Sequence, residues 1–235
     1  AAPLSDNSIV TPPGPDAVRS AGGLIHCARR LRSGRCEAPA VMIAHSSAID
    51  AGWPARAGAG IVAYLIKQYA LEQGALEIQY IEEFFGEFPR RKTAAEVVGR
   101  LADRESLILM AESALPDDPS TRIPVAYKVV HELRAVEADP KLRDLVERLR
   151  GCIDFDGRKV LYSWIGATRR DWRGQGHFRA LTEQSEAWAV ALGFQEVVVK
   201  TKNKFYDMRA VLAQLGFDVV KFERHASGPG ESKVY

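Results

Sequence analysis

Cysteine is scarce: Cys27, Cys36 and Cys152 are the only three in 235 residues. An odd count without a C-x-x-C pair argues against a disulfide framework and against a zinc site. No metal ligand set is expected, and reduced thiols point to the cytoplasm. Excess charge is also missing. Lys and Arg total 32 against 30 Asp and Glu, a formal net charge of +2, which lacks the strongly basic character of a nucleic-acid binder. Long apolar runs are absent too. The most apolar stretch, 61–66, is short and has Arg56 and Lys67 nearby, so no membrane span is expected. The first residues show no basic region followed by an apolar one, so no signal peptide is expected. No Gly-Lys-Ser/Thr triplet occurs, which excludes a Walker-type phosphate loop. No internal repeat is visible. What remains is ordinary for a globular chain: 46% apolar residues against 26% charged, enough to bury a core.

Punctuation along the chain separates a loose beginning from an orderly remainder. Pro12-Pro13-Gly14-Pro15 excludes helix and central strand, so residues 1–15 read as a tail. Residues 17–31 fit a helix weakened by Gly22-Gly23, and 39–44 is a short apolar run of open type. Val62, Leu65, Ile66 and Tyr69 recur at i, i+3, i+4, i+7 and read as one face of a helix. Residues 1–75 are therefore expected to be a tail and a helical extension, and 76–235 the main domain.

In that domain 76–81 reads as a strand. Thr93-Ala94-Ala95-Glu96 is a capping box opening a helix with Ala94, Val97, Val98 and Leu101 inward. Strands are expected at 107–111, 125–130, 160–165, 197–201 and 217–222. A loop is expected at 116–124, and a turn at Asp156-Gly157. Helices are expected from Pro140 (Leu142, Leu145, Val146 and Leu149 inward), over about 176–192, and through Met208, Val211, Leu212 and Leu215 to Gly216. Strands in blocks mixed with helices imply an α+β domain with a mostly antiparallel front half.

The segment richest in chemistry is 165–181. A strand runs into a basic turn, Arg169-Arg170-Asp171-Trp172-Arg173, then Gly174-Gln175-Gly176, then a helix. Glycines there let backbone approach a ligand, and free N–H groups of a first helical turn suit a phosphate or pyrophosphate. A plain strand-to-helix turn would use the same glycines. A second glycine pattern, Gly58-Ala59-Gly60-Ile61-Val62-Ala63, formally fits a dinucleotide site. It follows an irregular stretch with Pro54 and Arg56 rather than a strand, which weighs against it.

Arg173-Gly174-Gln175-Gly176-His177-Phe178 resembles the acyl-CoA loop of the GNAT superfamily, R/Q-x-x-G-x-G/A, with Asp171-Trp172 in the place of its acidic-aromatic pair. Residues 203–217, ending Leu215-Gly216-Phe217, resemble its second signature, and the likeness spans 76–224. The resemblance implies a GNAT fold: a mixed, mostly antiparallel sheet flanked by helices. It implies acetyl-CoA or another acyl-CoA as co-substrate, and direct transfer of the acyl group to an amine. The edge Gly166-Ala167-Thr168 would pair with the pantetheine arm. Arg173, Gly174, Gln175, Gly176, His177, Phe178 and Arg179 would form the pyrophosphate loop, and Asn203 would join them. An amine-bearing small molecule or peptide is the implied acceptor, with no nucleic acid or membrane and with room for a homodimer.

Three positions depart from the pattern. Phe178 replaces the last small residue and must turn into the helix–sheet core to leave the cofactor room. Leu212 stands where the family often has a tyrosine that protonates the leaving thiolate, which leaves Tyr206 as the nearby substitute. Residues 160–165 carry no carboxylate, so His131 and Glu132, ending the preceding strand, become the candidate bases, ahead of Glu82, Glu83 and Asp156. Two other readings stay open: a GNAT-fold module that binds CoA or a ligand without turnover, and a transferase using aminoacyl-tRNA or a carrier protein as donor. Near-neutral charge weighs against the tRNA version.

Overall fold

The computed structural model describes residues 28–31, 64–85, 91–115 and 117–235. The tail, residues 17–27 of the expected 17–31 helix, the 39–44 run and the Gly58 pattern lie outside the described residues, and the described end of that helix, Ala28–Arg30, is instead a strand.

A six-stranded sheet organises the rest. Its strands are β1 (Ala28–Arg30), β2 (Tyr64–Tyr69), β3 (Ser106–Ala114), β4 (Arg122–Leu133), β5 (Val160–Thr168) and β6 (Glu196–Val199), in the order β1-β6-β5-β4-β3-β2. Every pairing is antiparallel except β5 with β6. The helices are α1 (Leu71–Phe85), α2 (Ala94–Leu101), α3 (Pro140–Leu149), α4 (His177–Ala191) and α5 (Tyr206–Gln214). Strands β7 (Thr201–Lys202), β8 (Phe222–Glu223) and β9 (Lys233–Val234) form a separate three-stranded sheet.

The apolar run of β3 shows why both sheet faces need cover. Successive side chains alternate faces. Leu107, Leu109 and Ala111 join Leu161, Leu181, Ala189 and Leu212 on the α4–α5 face. Ile108 and Met110 join Ala75, Ile78, Val97, Leu101, Tyr127 and Val129 under α1 and α2. A further cluster seats α3 through Leu142, Leu145, Val146 and Leu149 against Leu133, Val160 and Tyr162. The expected capping box forms, Thr93 and Glu96 closing it on α2, and α3 starts at Pro140 as expected, with Asp139 as its cap.

Two neighbouring elements correct the sequence reading by exchanging places. Tyr64–Tyr69 is a strand paired with β3, not a helix, and Leu71–Phe85 is a helix, so 76–81 is not a strand. Leu76, Ile78 and Tyr80 alternate as a strand would, yet Leu76 is 49% and Tyr80 53% exposed. The buried stripe is Ala75, Ile78 and Ile81, at helical spacing. Gly74 completes that face: a Cβ there would lie 2.8 Å from Ile108 Cδ1, so glycine lets α1 settle onto β3. The expected 217–222 strand shrinks to Phe222–Glu223, which pairs with Lys233–Val234, and the 197–201 strand ends at Val199. Arg122, expected in a loop, already belongs to β4.

Candidate active site

Two features of β5 prepare a site. First, its pairing with β4 slips: Val129 faces Ile165 while Val130 faces Ser163, leaving Trp164 as a bulge. Second, its parallel pairing with β6 ends at Ser163–Val199. Past that pair β5 continues to Thr168, whereas the chain after β6 leaves at Lys200 for the other sheet. The two strands therefore fork. Arg169 donates its N–H to Val125 O at 2.9 Å across the β4–β5 ladder. Antiparallel alternation then directs the peptide groups of Ala167 and Ile165 at β4 and turns those of Gly166 and Thr168 toward the open side. Gly166 is required where it stands, since a Cβ would meet Tyr127 O at 2.9 Å.

The free edge leads into the glycine turn. Arg170–Trp172 forms one 3-10 turn, and Arg173 donates from Nε to Thr168 O at 3.2 Å. Gly174 and Gly176 take φ of 76° and 84°, the left-handed region that a side chain strains. Gly176 caps α4 with no side-chain hydrogen bond. The first intrahelical bond is Ala180 N–H to Gly176 O at 3.0 Å, so the N–H groups of His177, Phe178 and Arg179 have no partner inside the helix. His177 anchors this end from beneath. Its buried ring lies 4.3 Å from that of Tyr64, with Nδ1 3.1 Å from Trp172 O, and burial lowers its pKa. Phe178 packs on the α4–α5 core, with Lys128 Nζ 4.8 Å from its ring centre. Lys128 is itself buried, bonds Ser163 Oγ at 2.8 Å, and is pushed by burial down to about 8. Arg179 reaches Gln214 Oε1 at 3.2 Å, and Gln175 is exposed.

The candidate proton-transfer residues are dispersed. His131 is fully buried, with Nδ1 2.6 Å from Glu132 O, and desolvation holds its imidazole neutral with a pKa of about 3. Its ring stands edge-on to Tyr162 and Trp164 at 5.4 and 5.8 Å. Glu132 pairs with Arg134 Nε at 2.9 Å. Tyr206 opens α5 with 67% exposure and Arg209 5.9 Å from its ring. Asn203 ties its side chain to Pro229 O at 3.1 Å and Arg209 Nη1 at 2.6 Å. Glu82 is buried and accepts from Tyr127 Oη at 2.8 Å and from the Lys92 N–H. Glu83 and Asp156 are exposed.

On the sheet face opposite α4 the fork opens into a cleft of about 420 Å³ between α2, α3, the middle of β5 and the end of β6. Lys92, Arg100, Lys141, Tyr162, Trp164 and Lys200 line it. Sequence reasoning passed over all six, because apart from Tyr162 and Trp164 on β5 they come from separate stretches of the chain with no shared spacing. The single signal was an unexplained tryptophan one residue beyond the last β5–β6 pair.

Solved structures share the fold. Arabidopsis thaliana NAA60 in complex with acetyl-CoA matches with a TM-score of 0.55 at 13% identity, over 73% of this chain and 95% of that one. The same protein with a bisubstrate analogue gives 0.54 at 14% identity, over 73% and 94%. The fold is that of the GNAT acetyltransferases. A chain of the NatC complex bound to Gag peptide and CoA adds a TM-score of 0.52 at 14% identity, over 73% and 94%. No protein-family profile matches the sequence, and no curated protein does. The GNAT fold is thus established by shape, and the sheet it requires draws on β1 and β2 as well as on residues past 76. Among the described residues no helix is long and apolar enough to cross a membrane, and no group of His, Cys, Asp and Glu is arranged to hold a metal.

Proposed function

We propose that the chain is an acyl-CoA-dependent N-acyltransferase that moves an acetyl or longer acyl group to an amine. The observation that carries this reading is the forked edge of β5 running straight into an uncapped, glycine-led helix N-terminus. From Trp164 to Thr168 the edge extends about 13 Å. An extended, amide-bearing arm fits there as an added strand, and an anionic group fits at its end. Gly166 and Thr168 present peptide groups to that arm, with Ala167 between them turned to β4. The N–H groups from Gly174 to Arg179 hold the pyrophosphate, with Arg173 adding charge. Asn203 supports the far side of the arm by fixing the turn before α5.

When bound, an acyl-CoA supplies a thioester carbonyl that a neutral amine attacks, with the C–S bond breaking and the thiolate leaving with the electron pair. The protein contributes chiefly position. In this reading the hydroxyl of Tyr206, exposed at the start of α5, gives its proton to the leaving sulfur. His131, neutral and enclosed, orients Trp164 and Tyr162 rather than exchanging protons with solvent, and Glu132 is held by Arg134. The setting we propose is cytoplasmic, with an acyl-CoA and an amine-bearing small molecule or peptide as partners.

Turnover decides between a transferase and a module that only binds. Incubation with acetyl-CoA and a panel of primary amines, followed by free thiol release and product mass, should show a 42 Da gain on the acceptor, about one acetyl group, matched by CoA release. CoA binding without release of thiol from acetyl-CoA in the presence of any amine would leave a binding module instead.

A further inference from the structure

The cleft beyond the fork has a charge of its own. Lys92, Arg100, Lys141 and Lys200 line it together with two carboxylates, Glu96 and Asp139. The whole chain carries only +2, so this concentration is local. Both carboxylates serve helix ends. Asp139 accepts from Lys141 N at 2.7 Å and Leu142 N at 3.3 Å while pairing with Arg100 at 3.0 Å, and Glu96 accepts from Thr93 N at 3.2 Å. Among the described residues the ammonium groups of Lys92, Lys141 and Lys200 make no ion pair within 4.0 Å.

Position gives this charge a use. Trp164 and Lys200 are the residues that follow Ser163 and Val199, the last parallel pair, so they form the inner wall of the cleft at the fork itself. The glycine turn meets β5 at its other end, beyond Thr168. An arm laid along the edge from the turn would bring its reactive end to Trp164, where the cleft opens from the opposite face. Arg100 stands 5.0 Å and Lys92 5.7 Å from the Trp164 ring, so the positive groups surround the meeting point. Burial, then Lys233 and Arg148, lower the Lys200 pKa against the opposite pull of Asp144 and Glu223. A volume of about 420 Å³ suits a small molecule.

We propose that this cleft is the acceptor pocket and that the acceptor is a small amine whose far end carries a carboxylate, held by Lys92, Lys141 and Lys200. The proposal rests on the acyl-transfer reading above. The surrounding positive charge also disfavours the ammonium form of the acceptor and so supplies the neutral amine the reaction needs. The step balances without a further reagent. The amine nitrogen bonds to the acyl carbon, the C–S bond breaks, one proton leaves nitrogen, and CoA thiol and an N-acyl carboxylate result.

Three four-carbon amines test this with acetyl-CoA: 4-aminobutyrate, butylamine and putrescine, whose far ends are anionic, neutral and cationic. We expect kcat/KM to be about tenfold or more higher for 4-aminobutyrate than for either other amine. In the double variant Lys92→Gln/Lys141→Gln that ratio should collapse toward one, through KM rather than kcat. Equal rates for the three amines, or putrescine preferred, would overturn the acceptor assignment, as would a ratio unchanged in the variant. Calorimetric titration of CoA accompanies the assay. Binding of CoA with no turnover of any of the three amines overturns the acceptor assignment alone. No CoA binding overturns the acyl-transfer reading and the acceptor assignment with it.

Discussion

In the proposed reading, the ligand-facing groups on the turn side of the fork are peptide N–H groups, from Gly166, Thr168 and the first turn of α4. On the cleft side they are side chains, Lys92, Arg100, Lys141, Trp164 and Lys200, brought from five separate places in the chain. The first side is rigid because strand and helix geometry fix where its donors point, and its chemistry survives most substitutions. The second is tunable, since each long side chain can change without disturbing the backbone that bears it. On the proposed reading, a donor site built from backbone and an acceptor site built from side chains would let the fold hold one co-substrate while its acceptor varies.

The largest expected effect breaks the backbone side. Gly176→Asp puts a carboxylate at the helix N-terminus, where the open space around the Cβ would admit it without collision. The fold should persist, at a cost of about 1 kcal/mol for the left-handed conformation. CoA affinity should fall at least 10²-fold by calorimetry, because like charge replaces an anion site. Unchanged affinity in the folded variant would show that the turn does not hold the pyrophosphate.

Next in size is a test of whether the turn side contributes any side-chain chemistry. If the Tyr206 hydroxyl protonates the thiolate, Tyr206→Phe should lower kcat about 10²-fold while CoA affinity stays constant. Turnover within about threefold of the parent would remove Tyr206 from the reaction and leave both sides of the fork acting by position alone.

A smaller effect sharpens the cleft side. His131 lies behind Tyr162 and Trp164, and its pKa drops from 6.5 to about 3 on folding. The unfolded chain therefore binds more protons between these values, so stability is full above pH 6.5 and is lost as pH falls toward 3. From pH 6.5 to 5 the His131 contribution should decline by about 2 kcal/mol. Urea unfolding at the two pH values, for the parent and for His131→Leu, measures it. An equal pH dependence in both proteins would mean that His131 is solvated in the folded state.

The same division explains what was legible in the sequence. The glycine turn and the start of α4 were readable because 165–181 is one continuous segment in which glycine spacing and helix start carry the geometry. The Thr93–Glu96 capping box and Pro140 were likewise local, and they placed α2 and α3 correctly. The exchange of β2 and α1 had a physical cause: six residues satisfy a period of 2 or 3.6 almost equally, and Gly74 disguised the helix that needs it. The cleft was invisible for a different reason. Its residues converge only after the fork forms, and the fork depends on β6 ending at Val199, which nothing in Val197-Val198-Val199-Lys200 announces.

The acyl-CoA assignment is tested most directly by calorimetric titration of CoA, and separately of NAD, into the protein in the presence of EDTA. The donor groups are peptide N–H groups and arginine, with no Walker serine or threonine to engage Mg²⁺, so chelation should make no difference. CoA should bind with one site per chain, and NAD should give no heat of binding. Equal binding of both, or loss of CoA binding on chelation, would contradict the account.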